Sequence, residues 1–479
     1  MRDIRTQAET GARLEDRRVW IAVAALTVAG FLLRLACAHG DLWLDEIWSV
    51  NHIRNLANAG AILWRLPSTN NHILNSLWLW IIGSKAPVVL IRLESIIVGT
   101  LTVPVAALLC GRSGPVAAIT GAALAAGATI FVQYGSEARG YAGLLLMIFV
   151  AAEALECFLE KPSTAARFGF AGAVALGALF HLTMLPAAAT LTAATLLRSK
   201  FRGRSFAEVL VNGLDPALMG IIGAAPALAL LAASILNTHR IETGALTPFS
   251  VTALGQSLTS LYAATLGLPF DLPLPFALLL CLGLTGLAVL LLAPERLVLP
   301  LATLLLPAAF AALTRAPNVQ YPRFYLIAVL GLVLLVSDVT QKFWRQRCWA
   351  ALFGLGGFLL VGNAIHLEKL FVFGRGNIRP LVARMEHDGA TTFGTNMPLE
   401  TWVSLHFYDP RGALTLVQSR DWCARPPNWY VLTDRPGEKL PDAFGPGGCA
   451  GPYRLATVVE RAPLSGLGYA LYHAPHPPR

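Results

Sequence analysis

The stretch VWIAVAALTVAGFLLRLACAHGDLWLDEIWSV, residues 19–50, sets the fold class. Its first part is long and apolar enough to cross a bilayer as a helix of about 20 residues. It then runs straight into three carboxylates, Asp41, Asp45 and Glu46. A second stretch, FVQYGSEARGYAGLLL at 131–146, repeats the plan, with Glu137 and Arg139 in a short turn between apolar segments. Ionisable groups at a membrane face are costly unless they pair, meet water or perform chemistry.

The rest of the chain has the same character. Of 479 residues, 55% are hydrophobic and 14% charged, and the mean hydropathy is +0.58. A soluble domain carries roughly 25% charged residues, so the sequence predicts a polytopic α-helical membrane protein. Spans fall near 19–38, 88–110, 115–134, 141–159, 209–235, 273–293, 297–313, 324–341 and 349–366. The stretch 167–198 is long enough for two short spans meeting near His181, which makes about 11 in all.

The net charge of +9 is no nucleic-acid footprint, because Lys and Arg sit in short loops between spans. With the N-terminus inside, sixteen of them fall in inner loops, among them Arg17, Arg18, Arg112, Arg198 and Lys200. Seven fall in outer ones: Arg54, Arg65, Lys85, Arg139, Arg240, Arg315 and Arg323. The positive-inside rule then puts the N-terminus in the cytoplasm and both carboxylate clusters outside. The basic N-terminus enters a full-length apolar run without a small-residue cleavage site, which predicts a retained anchor.

Among the outer segments, 39–87 carries Trp43, Trp48, Trp64, Trp78 and Trp80 and suits amphipathic helices at the membrane interface. Residues 135–140 form a tight turn, and 237–272 reads as a polar loop. Beyond about 367 charge, Pro and Gly rise, and NWYVLT and YRLATVVE read as strands. The expected division is a membrane module over 1–366 and a small extracytoplasmic α/β domain over 367–479. Cys423 and Cys449 are the tail's two cysteines, and an oxidising compartment permits a disulfide between them. The other five cysteines lie in or beside spans, as apolar fillers do.

Asp41 and Asp45 are four apart and would share a helical face, with Glu46 beside the second; the same pattern serves an N-cap. The functional reading is a carboxylate acting as general base towards a hydroxyl, with Trp43 and Trp48 walling the site. In the second cluster Glu137, Arg139 and Tyr141 follow Gln133 and Tyr134. Arg323, in NVQYPRFYL, suits either an interfacial anchor or a bidentate grip on a lipid-linked phosphate. His72 (NNHILN) and His181 (FHLTM) join the same face, as structural or phosphate-binding groups. There is no Gly-rich nucleotide fingerprint. The carboxylates would also suit a divalent cation.

Taken in order, these features resemble the GT-C glycosyltransferases. They are the Asp-Glu pair after the first span, the His/Asn-rich entry to NSLWLW, LIRLES, QYGSEARGYA and the late YPRFYL. The resemblance is to bacterial relatives of the protein O-mannosyltransferases (glycosyltransferase family 39, PMT_2 type), a group related to the lipid A aminoarabinose transferase. It covers about residues 19–340 and not the tail. It implies a bacterial inner-membrane enzyme moving a sugar from a polyprenyl-phosphate carrier to an extracytoplasmic lipid, polysaccharide or protein. Asp45 would match the catalytic carboxylate, with Glu46 its neighbour. Glu137 would match the acidic residue of the second outer loop and Arg323 the late phosphate-binding arginine. Arg139, Tyr141, His72 and His181 would bind substrate, and direct attack would invert the anomeric carbon. The sequence departs from relatives at NNHILN, where many carry His-Pro-Pro-Leu, and at Glu94 in LIRLES, where Pro is usual.

The rival classes are a transporter or flippase, a lipid-carrier ligase and a catalytically dead scaffold. Transport would want ionisable residues near mid-membrane and broken helices. Asp215, before Pro216, lies towards the inner end of its span. So do Glu153 and Glu156, for which basic loop partners are expected.

Overall fold

The structure is a computed structural model that describes residues 16–54, 56–66, 68, 71–201, 205–242, 246–389, 391–409, 411–433, 440–445 and 452–474. The chain divides into two compact units. One comprises Met1–Ala36 with His52–Leu367, and the other comprises Cys37–Asn51 with Glu368–Arg479.

The first unit is helical. Among the described residues eight helices are long and apolar enough to cross a membrane: Arg17–Cys37, Val88–Gly111, Tyr141–Glu160, Ala207–Thr238, Leu274–Leu291, Pro294–Leu313, Ile327–Arg345 and Trp349–Phe373. The remaining expected spans also fall on helices. The pair within 167–198 forms Thr164–Phe180 and Met184–Phe201. The span at 115–134 is broken into Pro115–Gly127 and Thr129–Tyr134, with Ala128 extended between them. Side chains from elsewhere in the unit hold the break. Arg34 donates to the carbonyls of Ala125 (2.7 Å) and Ala126 (3.3 Å), which the first piece leaves open. Asn363 Oδ1 accepts from the Thr129 amide (2.8 Å), at the start of the second.

Local chemistry sets the helix starts. Ser163 caps Thr164–Phe180 by accepting from the Ala166 amide (3.2 Å), and Ser205 with Glu208 forms a capping box. The region 237–272, expected as a polar loop, instead contains the helix Val251–Leu266. Ser250 caps it, and Leu254, Leu261, Ala264 and Leu266 are buried. Interleaved Ser and Thr lower the hydropathy of this segment, while its apolar residues recur at helical spacing.

At one end of the helices a band of ion pairs accumulates. Arg112 meets Glu153 (2.9 Å through Nε) and Glu160 (2.5 Å), Arg167 meets Asp215 (2.6 Å), and Arg198 pairs with Glu156. Ser113 bonds Asp338 and accepts from Arg296 (2.7 Å). The expected basic partners of Glu153 and Glu156 are thus Arg112 and Arg198.

The second unit is an α/β domain. Its strands are β1 (Thr392–Thr395), β2 (Thr415–Leu416), β3 (Trp429–Thr433), β4 (Ala443–Phe444), β5 (Tyr453–Val459) and β6 (Tyr469–His473). They form one sheet in the order β2-β1-β3-β6-β5-β4. The β2, β1 and β3 pairings are parallel, and the rest are antiparallel. Helix Pro398–Tyr408 carries the crossover from β1 to β2, and Arg379–His387 precedes the sheet. Both expected strand segments are strands. The core gathers Leu381, Val382, Phe393, Trp429 and Leu471, together with Trp43 and Leu44 from the loop after the first span. Trp43, expected at a membrane interface, is therefore a core residue, and Trp48 packs against that core. Cys423 is in a disulfide; its expected partner, Cys449, lies outside the described residues.

Candidate active site

The two acidic motifs sit in different units. Leu44–Arg54 is a helix that starts in the second unit, with Asp45 and Glu46 in its first turn. Asp41 lies ahead of it, so the two aspartates do not share a helical face. Asp41 instead accepts from the backbone amide of Arg379 (2.7 Å) and pairs with its side chain (3.2 Å). That places a carboxylate at the N-terminus of Arg379–His387, where the helix dipole favours it. Glu46 is fully buried, and its Oε2 accepts from the Trp43 amide (3.2 Å), three residues back, as a helix-capping carboxylate does. Asp45 is buried to 6% exposure, and its backbone carbonyl accepts from Ser49 Oγ (3.0 Å).

In the first unit the connector 135–140 delivers Glu137 and Arg139, both buried. Tyr141 opens the next helix, and Arg139 Nη2 donates to its hydroxyl (3.0 Å). Around Tyr141 stand Tyr134 (5.0 Å between ring centres), His72 (5.5 Å) and His181 (4.9 Å), with the two imidazoles 4.9 Å apart. Gly140 allows this approach. A Cβ there would lie 1.9 Å from the Phe180 carbonyl oxygen and 2.9 Å from His72 Nδ1. Arg323, in the 3-10 turn Pro322–Tyr325, is half-buried with its guanidinium 4.4 Å from the Tyr321 ring centre.

Electrostatics keeps both histidines uncharged. Burial lowers His72 well below its ordinary pKa, and the positive charges of Arg139 and Arg323 add to the effect. In the connector between two helices, His181 is lowered to about 3 by burial and then by the same arginines. Their tautomers follow from their partners. His72 Nδ1 lies 2.9 Å from the Phe180 carbonyl, which can only accept, so it carries the proton and Nε2 holds a lone pair. That Nε2 is buried and has no hydrogen-bond partner among the described residues. His181 Nδ1 accepts from the Thr183 amide (3.1 Å), which leaves its proton on Nε2.

The structure adds residues that sequence reasoning did not weigh. Asn75 donates to Glu94 Oε2 (3.0 Å), while Ser95 Oγ contacts that carboxylate (3.2 Å) and the Arg139 carbonyl (3.1 Å). The segments NNHILN and LIRLES, where the sequence departs from its relatives, thus meet through Asn75 and Glu94. Arg34 is fully buried. A Cβ on Gly135 would come within 2.5 Å of its Nε, so the arginine lies directly against the start of the connector. Among the described residues no group of three or more His, Cys, Asp or Glu is arranged to hold a metal ion.

No protein-family model and no curated protein sequence matches the chain. Solved structures do. ArnT from Cupriavidus metallidurans in the apo state aligns with a TM-score of 0.51 at 13% identity, over 95% of this chain and 97% of that one. The same protein bound to undecaprenyl phosphate aligns with a TM-score of 0.49 at 12% identity over the same shares. The oligosaccharyltransferase of Archaeoglobus fulgidus in the apo form gives 0.49 at 12% identity, over 87% of this chain and 70% of that one. The multi-pass helical unit, the small sheet domain and the end-to-end alignment with apo ArnT agree, and the chain has the fold of the GT-C glycosyltransferases.

Proposed function

We propose that the protein is a membrane glycosyltransferase that moves a sugar from a polyprenyl-phosphate carrier to a hydroxyl acceptor on the extracytoplasmic side. The observation that carries this reading is the buried Arg139–Tyr141 pair flanked by two uncharged histidines. With the imidazoles neutral, positive charge there resides on arginine, whose fork suits a phosphate. In this reading Arg139 and Arg323 take the phosphate. The His181 Nε2 proton is offered to a phosphate oxygen, His72 Nε2 accepts from a hydroxyl, and Tyr141 and Glu137 line the same site. Asp45 removes the proton from the acceptor hydroxyl, whose oxygen attacks the anomeric carbon. The polyprenyl phosphate leaves with the bonding electrons, and the centre inverts. Glu46, used as a helix cap, supports Asp45 and is not itself the base. The lysine and arginine distribution supports an extracytoplasmic site and a cytoplasmic N-terminus. Transport is disfavoured because Asp215, Glu153 and Glu156, the carboxylates it would use, are each paired to an arginine.

The test is purified protein in detergent with radiolabelled sugar offered on undecaprenyl phosphate or on a nucleotide, together with a membrane extract freed of polyprenyl phosphates as acceptor. Transfer from the lipid carrier is expected. Turnover with the nucleotide donor in the absence of any lipid carrier would end the reading.

A further inference from the structure

The loop that follows the first span folds as part of a domain more than three hundred residues later in the chain, and the contacts converge on a few atoms. The Asp41 amide donates to Asn377 Oδ1 (2.8 Å). The Leu42 amide donates to the Tyr408 hydroxyl (2.6 Å), which in turn donates to the Leu42 carbonyl (3.3 Å). Asp41 accepts from the Arg379 amide and pairs with its guanidinium, which lies 4.9 Å from the Tyr408 ring centre. Burial, and then the negative charge of Asp41, push the Tyr408 hydroxyl pKa up, so it stays a donor at any physiological pH. Arg375 reaches the Cys37 carbonyl (3.4 Å). Trp43 and Leu44 complete the core between the sheet and Arg379–His387.

Asp45 follows immediately. Trp43 and Leu44 fix its N-terminal side in the core, and Ser49 holds its carbonyl on the other. An interfacial loop of this kind would ordinarily sample many conformations, and ordering each residue's backbone costs about 1–2 kcal/mol. Here the folding of the tail supplies that order. Catalytic groups need such support, since small misplacements cost large factors in rate.

We propose that the C-terminal domain serves to hold residues 37–51 and thereby set the position of the Asp45 carboxylate, with Asp41, Asn377, Arg379 and Tyr408 as positioning residues. The proposal rests on the reading of Asp45 as base. It gives the tail a role in catalysis through the loop it carries.

Full-length protein in nanodiscs is compared with Tyr408→Phe, Asp41→Leu and Asp41→Asn. Two quantities are measured: hydrogen exchange of peptides covering 38–46, 429–433 and 469–473, and the initial rate of product formation on envelope membranes from a deletion strain, which supply donor and acceptor together. In Tyr408→Phe and Asp41→Leu, exchange over 38–46 should rise at least tenfold while the strands keep their protection, and the rate should fall at least tenfold. Asp41→Asn keeps an oxygen for the Arg379 amide and should recover most of both. Unchanged exchange over 38–46, or faster exchange at full rate, overturns the proposal. A similar loss in Asp41→Leu and Asp41→Asn also overturns it, because the hydrogen bond to the Arg379 amide would then not be what matters. An Asp45→Asn protein that remains active removes the base reading and this proposal with it. An inactive Asp45→Asn beside fully active Tyr408→Phe and Asp41→Leu removes the proposal alone.

Discussion

The two ends of the helical unit handle buried polarity in opposite ways. Helix Tyr141–Glu160 touches both, and its 20 residues separate them by about 30 Å. At its C-terminal end Glu153 and Glu160 are matched to Arg112, with Glu156 matched to Arg198 close by. At its N-terminal end Tyr141 meets one arginine, two neutral imidazoles and another tyrosine, and His72 Nε2 has no partner among the described residues. The first end spends its charges on holding helices together. The second keeps an acceptor unused and its histidines uncharged at the cost of burying them, an arrangement common at functional sites.

Substitutions can break this contrast. The largest effect is expected from Arg139→Ala, which should weaken use of the lipid-linked donor by about 2–5 kcal/mol, as when a desolvated charge loses its partner. Titrating undecaprenyl phosphate against the purified variant measures it, and donor use equal to wild type would show that the two ends do not differ in function. At the other end Arg198→Ala should leave Glu156 unpaired and lower stability by about 3 kcal/mol. Activity per folded molecule should stay unchanged, read from thermal unfolding beside the transfer rate. Gly140→Ala must push back the Phe180 carbonyl and His72. An overpacking cost of about 1–3 kcal/mol should come with a drop in transfer rate, whereas Gly172→Ala, where a Cβ meets nothing within 4 Å, should do neither.

Acid should act on the histidine end. An unfolded chain protonates histidine near pH 6.5, but folded His181 resists until about pH 3. Between those values the unfolded state binds more protons, so stability falls as the pH drops through that window. Replacing His181 with Gln should flatten the decline in apparent Tm from pH 7 to pH 5. The smallest effect belongs to Arg167→Ala. That arginine is 40% exposed beside Asp215, and loss of the pair should cost less than about 1 kcal/mol.

What the sequence revealed follows from the length scale of each signal. Every expected span is helical, the one at 115–134 with a break at Ala128, because some twenty apolar residues are hard to mistake. Val251–Leu266 escaped because eight of its sixteen residues are Ser, Thr, Gly, Gln or Tyr, which hide its apolar face. Arg34 sits inside the first apolar span, and nothing local foretells that it would reach Ala125 (2.7 Å). Trp43 and Asp41 were misread for a related reason: their partners lie beyond residue 376, and sequence patterns carry no long-range pairing. Glu137, Arg139, Tyr141, His72 and His181 were legible as separate polar interruptions in apolar sequence. That Arg139, His72 and His181 gather around the Tyr141 ring was not.

Transfer by this route depends most on Asp45. The direct measurement is mass spectrometry of envelope glycolipids and glycoproteins from cells whose only copy carries Asp45→Asn, with protein level and the 38–46 exchange matched to the parent. General-base loss should cut transfer by roughly 10²–10⁴ and reproduce the product missing from a deletion strain. Parental amounts of that product from well-expressed Asp45→Asn protein would contradict the account.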